Sequence, residues 1–228
     1  MKIAIIAAMD KEVKLLLNIM PAYEEHDAEG LHFFTGEIGD KSVAIAKCGI
    51  GKVNAAVNTY RLIKHFSPDL VINSGVAGSL DADKKIGDVL VADSVVYHDV
   101  WCGPGTLRGA ADGFEQKMLP DENAFRTAIH VGGDRNDFHA GMIASGDIFV
   151  SDPEIVRQIT SYFPEAVGCD MESGAIAQTC AMLGVPFLVV RVLSDCPGSG
   201  DNISEYKNFW TEAPEKTFSV LEQLLKTL

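Results

Sequence analysis

From Val185 to Leu193 nearly every residue is apolar and several are β-branched, with Gly184 before the run and the polar pair Ser194-Asp195 after it. A run with no polar alternation predicts a strand buried on both faces. Ile3 to Ala8 has the same character. After it, Lys11 to Met20 spaces Val13, Leu16, Leu17 and Met20 onto one helical face, with Glu12 in the first turn. Leu31 to Ile38 and Ser42 to Lys47 predict a hairpin around Gly39-Asp40, and Gly49-Ile50-Gly51 then opens a helix carrying Val53, Ala56, Tyr60 and Ile63. Asp69 to Asn73 predicts a further buried strand ending at Gly75-Val76-Ala77-Gly78, and Asp88 to Tyr97 another.

The segment from His98 to Pro120 is rich in Gly and Pro and too long for an ordinary connection, a length usually kept for function. Beyond it the pattern predicts a helix over Glu122 to His130, a strand over Phe138 to Ser145, and a helix over Pro153 to Tyr162 capped by Asp152. Met171 to Leu183 is expected to be helical with Ala175, Ile176, Cys180 and Leu183 inward. The tail from Ser204 is expected to be helical too, broken or kinked at Pro214. Strands alternating with helices predict one α/β domain over residues 1–228, with a mixed, mostly parallel sheet covered by helices on both faces. There is no internal repeat and no low-complexity linker.

Two acids break this pattern. Glu172 lies in the run Cys169-Asp170-Met171-Glu172-Ser173-Gly174, and Asp195 closes the apolar strand. In open α/β sheets ligands gather outside the carboxyl ends of the strands, so Asp195 falls where a pocket rim is expected and Glu172 opens the preceding helix.

Composition narrows the class of ligand. A chain of 228 residues that is 47% hydrophobic can bury a sizeable core. The formal net charge is −13 and no basic run occurs, so nucleic acid and anionic membrane surfaces are repelled and a small molecule is the expected partner. The five cysteines are odd in number and lack C-x-x-C spacing, which points to a reducing cytoplasm. Ile3 to Met9 loosely imitates a signal peptide, but Asp10-Lys11-Glu12 ends the run, and no segment has the length of a membrane span.

The short motifs are mostly structural. Gly49-Ile50-Gly51-Lys52-Val53-Asn54 begins like a dinucleotide fingerprint but has Asn54 where the third glycine belongs; glycines permitting a tight strand-to-helix turn explain it better, and leave Ile50 to line a pocket. A P-loop is excluded because the Gly-Lys-Ser/Thr ending is missing. The six histidines show no metal-ligand spacing, and no metal site is readable. His98-Asp99 closes a strand and opens the long loop, where Asp99 serves either as a terminator or in a site.

Taken singly, Glu12 reads as a helix-dipole partner, Glu172 as a cap and Asp195 as a cap or loop acid. Their combination reads differently. Three acids at or near buried strand ends can converge on one cleft, where burial and mutual repulsion raise at least one pKa and supply a proton donor.

Seven segments together carry a family resemblance. They are Ile5 to Glu12, Cys48 to Ala55, Asn73 to Gly78, Tyr97-His98-Asp99, Ser145 to Val150, Asp170-Met171-Glu172 and Arg191 to Asp195. The chain resembles, from Met1 to its C-terminal helix, the 5′-methylthioadenosine/S-adenosylhomocysteine nucleosidases of the nucleoside phosphorylase-like superfamily. The resemblance implies a phosphorylase/hydrolase-like three-layer fold and cleavage of an N-glycosidic bond to adenine and the thioribose, in methionine and purine salvage, with no metal or nucleotide cofactor. It implies that Asp195, oriented by Ser194, protonates the purine at N7, and that Glu12 binds and activates water on the opposite face of the ribose. Glu172 would bond the ribose hydroxyls while Met171 packs on the sugar. Phe149 would stack on the purine and the Val150 backbone read its edge. Arg191 would organise the acids, or form a structural ion pair under the sheet. Met9 and Ile50 would form apolar wall. An acid at Glu12, with no Arg in Gly75-Val76-Ala77-Gly78, would repel phosphate, which favours hydrolysis over phosphorolysis.

Several positions depart from the family pattern. Val76 stands where Ser is common, Asp170 where Glu is usual, and Ser173-Gly174 for Ala-Thr. Val100-Trp101-Cys102-Gly103-Pro104-Gly105 replaces a loop that in the family shapes the 5′ end of the pocket, partly across a homodimer interface, so the 98–120 loop is expected near a partner's site. Trp101 either covers the 5′ group, narrows the pocket against it, or merely packs the loop. Two other functions compete: a purine nucleoside phosphorylase or a hydrolase of another 5′-modified purine nucleoside, and a non-catalytic nucleoside-binding protein. Intact Glu12, Glu172 and Asp195 argue against the last.

Overall fold

The computed structural model describes residues 1–212 and 214–228, without the side chains of 212–219. The elements are, in order, β1 (Lys2–Ala7), α1 (Asp10–Leu17), β2 (Tyr23–Ala28), β3 (Leu31–Ile38), β4 (Lys41–Lys47), α2 (Lys52–Phe66), β5 (Leu70–Ser79) and β6 (Val89–Tyr97). They continue as α3 (Glu122–Gly132), β7 (Phe138–Ser145), α4 (Pro153–Tyr162), β8 (Ala166–Asp170), α5 (Ser173–Leu183), β9 (Phe187–Asp195), α6 (Asn202–Glu212) and α7 (Pro214–Thr227). Asp121 and Asp152 cap α3 and α4 by accepting from Ala124 N and Glu154 N.

The strands form one sheet in the order β2-β3-β4-β1-β5-β8-β7-β6-β9, and β9 also pairs with β5, so the last five strands close into a ring. β1–β4, β1–β5, β5–β9, β6–β7 and β7–β8 are parallel. β2–β3, β3–β4, β5–β8 and β6–β9 are antiparallel. The sheet is therefore mixed, not mostly parallel as the alternation of elements suggests. Ring closure is one cause, because it sets β9 against β6 and the end of β5 against β8 in opposite directions; the β2-β3-β4 meander is the other.

Period-two burial is visible on β1, where Ala4 and Ile6 join one apolar cluster and Ile3, Ile5 and Ala7 the other. The first cluster receives Ala55, Leu62 and Phe66 of α2 with Ile176 and Cys180 of α5. The second receives Val13 and Leu16 of α1, Ala124 and Ala128 of α3, and Leu221, Leu224 and Leu225 of α7.

Three expectations need correction. β2 and β8 are additional strands. On α2 the buried residues are Ala55, Thr59, Leu62 and Phe66; of the expected face, Ala56 and Ile63 pack partly buried against the same core, while Val53 and Tyr60 are 75% and 48% exposed. Leu183, expected inward, is exposed, because it is the last residue of α5 before Gly184 turns the chain in the left-handed region. Helix α6 is described to Glu212 and α7 from Pro214, and the expected break or kink at Pro214 turns on residue 213, which lies outside the described residues. The long segment after β6 keeps no regular structure beyond a bridge between Val95 and Met118. Arg108 pins it by lying over the rings of Trp101 and Tyr162, at 4.7 and 4.4 Å.

Candidate active site

The chain exits β1, β7, β8 and β9 around one cleft, which the second half of β5 also lines, with a cavity of about 100 Å³ that opens to solvent. All three acids singled out from the sequence reach it.

Glu12 sits in the first turn of α1 and is 1% exposed. Its Oε2 accepts from the backbone N–H groups of Ala8 and Met9, both at 2.9 Å, and its Oε1 accepts from Val76 N at 3.2 Å. Glu12 thus also serves its own helix end, since it accepts from the backbone N–H of the N-cap residue Met9, the carboxylate half of a capping box. The bond to β5, 64 residues away, is what a cap does not require. Burial pushes its carboxyl above the usual range, against the pull of Arg191 and the three N–H donors. Gly75 makes this approach feasible: a Cβ there would lie 2.7 Å from Glu12 Oε1 and 2.9 Å from Arg191 Nη1.

Glu172 occupies the N-cap position of α5 yet makes no cap bond to that helix. Instead its Oε1 accepts from Gly51 N at 2.9 Å. Burial first and Asp170 second raise its pKa to about 7, while Arg191 and the Gly51 N–H oppose the rise. Arg191, 2% exposed, donates from Nε and Nη2 to Asp170 Oδ2 at 2.9 and 2.7 Å, and from Nη2 to Asn73 Oδ1 and Ser173 Oγ. Ser173 Oγ in turn donates to Asp170. Asn73 is fixed by its own bond from Nδ2 to Ile6 O. Arg191 forms a buried ion pair with Asp170, and both side chains line the cleft with Glu12, Glu172 and Asp195.

Asp195 is placed by an irregularity in β9. Opposite β5, Ala77 pairs with Leu193 but Gly78 with Asp195, so Ser194 is an extra residue in a bulge. A bulge re-aims side chains and is common beside active sites. Here Ser194 and Asp195 both line the cleft, and Ser194 Oγ donates to Asp195 Oδ1 at 2.7 Å. Asp195 is 3% exposed, and burial raises its pKa while Ser194 and Asn202 hold it down.

The apolar wall consists of Met9, Ile50, Val76, Phe149, Val150 and Met171, all lining the same cleft. The departure at Val76 leaves the bond to Glu12 intact, because that bond uses the backbone. Gly174 has a packing reason: a Cβ there would fall 2.4 Å from the Tyr97 ring. Trp101 lies outside the cleft within its own chain, stacked under Arg108. Asp99 is drawn into a lock beside the cleft, accepting from Lys52 Nζ and Asp147 N at 2.9 Å, while Asp147 accepts from Lys52 N at 2.7 Å.

Sequence reasoning missed Asn73, Ser173, Asn202 and Tyr206. A buried Asn inside an apolar strand is a readable signal, and so is Tyr206 four residues before Trp210 on α6. Tyr206 packs edge-on against Phe149, with centroids 5.6 Å apart, and its hydroxyl meets Met9 Sδ at 3.3 Å. Cys169 also lines the cleft, but burial pushes its thiol up and leaves it protonated, unsuited to nucleophilic work. Among the described residues no group of three or more His, Cys, Asp or Glu is arranged to hold a metal ion. Arg191 is the one cationic side chain among the described cleft residues, and it is committed to Asp170. A paired-acid cleft with an apolar wall can donate a proton on one side and accept one on another.

Comparison with known proteins agrees over the full length. A family model described as the phosphorylase superfamily matches residues 2–226. The chain is 38% identical over 227 residues to a protein of Marinomonas sp. (strain MWYL1) named 5′-methylthioadenosine/S-adenosylhomocysteine nucleosidase, with 98% of each covered. Its fold is similar, with a TM-score of 0.95 and 34% identity, to the S-adenosylhomocysteine nucleosidase of Streptococcus pyogenes in complex with 5-methylthiotubericidin, covering 100% of this chain and 97% of that one. The 5′-methylthioadenosine/S-adenosylhomocysteine nucleosidase of S. pneumoniae, with the transition-state inhibitor MT-ImmA, also gives 0.95, at 33% identity and 100% and 99% coverage.

Proposed function

The chain belongs to the phosphorylase superfamily and, within it, to the 5′-methylthioadenosine/S-adenosylhomocysteine nucleosidases, and on that premise we propose that it hydrolyses the N-glycosidic bond of these nucleosides through Glu12, Glu172 and Asp195. As the C1′–N9 bond breaks, its electron pair passes to the purine and the ribose becomes oxocarbenium-like. Asp195, whose pKa burial raises, gives its proton to N7, so that neutral adenine leaves. Water held by Glu12 attacks C1′ from the other face and loses its proton to that carboxylate. Glu172 holds the ribose hydroxyls and stabilises the developing charge, with Met171 against the sugar. Phe149 and the Val150 backbone take the base, Met9 and Ile50 form apolar wall, and Val76 lies near the water and sugar, beside Glu12.

The observation that carries hydrolysis over phosphorolysis is the state of the one cation. Arg191 is buried in its pair with Asp170, and Glu12 lines the cleft nearby, so an incoming phosphate would meet negative charge with no free cation among the described cleft residues.

The whole chain, residues 1–228, works as one three-layer unit in the cytoplasm and pairs as a homodimer. Val53, Val57 and Tyr60 form an exposed apolar stripe on α2, which packs against α5 with its exposed Met182 and Leu183; such a patch favours a partner surface. The 98–120 loop then reaches the partner's cleft and shapes the 5′ end. No described helix is long and apolar enough to cross a membrane.

The test is incubation of purified protein with methylthioadenosine, adenosylhomocysteine, adenosine and inosine, with and without phosphate, followed by chromatography. Adenine and free thioribose in the absence of phosphate are expected. Strict phosphate dependence would replace hydrolysis by phosphorolysis, and tight binding without turnover would make the protein a nucleoside-binding one.

A further inference from the structure

Asn202 opens α6, is 3% exposed, and has no part in the reaction as set out above. Its Nδ2 lies 3.3 Å from the carbonyl oxygen of Val150 and 3.5 Å from Asp195 Oδ2. A carbonyl oxygen can only accept, so the contact to Val150 fixes the amide with its NH2 toward both groups. Helix α6 is itself tied to the exit of β9, because Glu205 accepts from Cys196 N at 2.8 Å. Ser194 already holds Asp195 Oδ1, which leaves Oδ2 as the oxygen facing Asn202.

We propose that Asn202 is the positioning residue of the proton donor: one amide N–H anchors on Val150, and the other stabilises the carboxylate that Asp195 becomes when its proton passes to the leaving base. The inference rests on the nucleosidase reading of the cleft. The proton leaves Asp195 as the base departs, and the negative charge then stays on a buried carboxylate with Ser194 and Asn202 as its donors. A buried anion that lacks a donor bears a large desolvation cost, so the long contact in the resting site gains strength as the charge develops. The second lone pair of the Val150 carbonyl remains for the edge of the base. Asn202 thereby couples the segment that reads the purine to the group that protonates it.

The sign of the effect is fixed by the surroundings of Asp195. Cys169 from β8, Cys196 after β9, and Glu205 and Tyr206 from α6 are the titratable groups that face it. Burial and Glu205 favour the neutral acid; Ser194 and Asn202 favour the anion. Removing Asn202 makes Asp195 a weaker acid, so the plateau rate falls and the high-pH limb of kcat, where the acid loses its proton, moves to higher pH. A residue that only packs α6 would leave the limb in place.

Asn202→Ala removes the donor, and Asn202→Asp keeps its size while replacing the NH2 by oxygen. Both are compared with wild type in kcat against pH for methylthioadenosine and in a carbon-13 NMR titration of aspartate-labelled protein, with Asp195→Asn identifying the resonance. We expect kcat for Asn202→Ala to fall roughly tenfold, with KM nearly unchanged, and both the limb and the Asp195 titration to move to higher pH. An unmoved titration in either folded variant overturns the proposal, as does failure of both to give a cooperative melt, which would make Asn202 structural. Wild-type protein that releases no adenine contradicts the nucleosidase reading instead, and the NMR arm still decides whether Asn202 holds Asp195.

Discussion

The backbone N–H of Gly51 donates to Glu172 Oε1 at 2.9 Å, across 121 residues of chain. Glu172 begins α5 but is aimed by the loop between β4 and α2, so a change in that loop alters the acid assigned to the ribose. Gly51 has φ +91, and a Cβ on it would meet Asp147 Oδ1 at 3.1 Å. Gly51→Ala is expected to cost about 1–2 kcal/mol in denaturant titration, through left-handed strain, and to raise KM several-fold. Unchanged KM would separate Gly51 from the ribose site.

Stability should depend on Glu172 with a definite sign. Its pKa is raised to about 7 in the folded protein, against about 4.3 for a free Glu, so between these values the folded state binds more protons and stability falls as pH rises. Wild type should melt at higher temperature at pH 5.5 than at pH 7.5, and Glu172→Gln should lose part of that difference, Glu12 and Asp195 contributing with the same sign. A variant with the wild-type pH slope would show that Glu172 ionises normally.

Much of this was legible in the sequence because β1 and β9 are apolar runs that tolerate no other placement. β2 was not: Tyr-Glu-Glu-His-Asp-Ala has no apolar face, since the strand is the outer edge of the sheet and mostly exposed. β8 has only five residues and takes its burial from the closing ring. On α2 the pattern points to a face that is half right: Ala56 and Ile63 meet the core, but Val53 and Tyr60 are apolar yet exposed, a pattern that serves a partner surface as well as a core. The acids were legible only as a set. What could not be read was the bulge at Ser194 and the position of α6, both set by tertiary pairing rather than by local spacing.

Arg191 and Asp170 should stand or fall together. Arg191→Met leaves the Asp170 carboxylate buried with its main partner gone and is expected to cost roughly 3–5 kcal/mol in urea. Adding Asp170→Asn in that background should recover part of the loss. No recovery would place the role of Arg191 elsewhere than in this pair.

Gly75→Ala tests the water side of the cleft. The new methyl would press on Glu12 Oε1 and Arg191 Nη1, so kcat should fall roughly 10²-fold through misplacement of the base. Adenine binding measured by calorimetry should stay within a few-fold, because the base is proposed to rest on Phe149, Val150 and Asp195 rather than on Glu12. Equal loss of both would mean general collapse of the site.

The most direct measurement is the rate at which Asp195→Asn releases adenine from methylthioadenosine, followed by chromatography beside wild type. Removal of a positioned proton donor predicts a loss of roughly 10²-fold or more with the melting transition intact. Turnover near the wild-type rate would contradict the assignment of Asp195 to the leaving base.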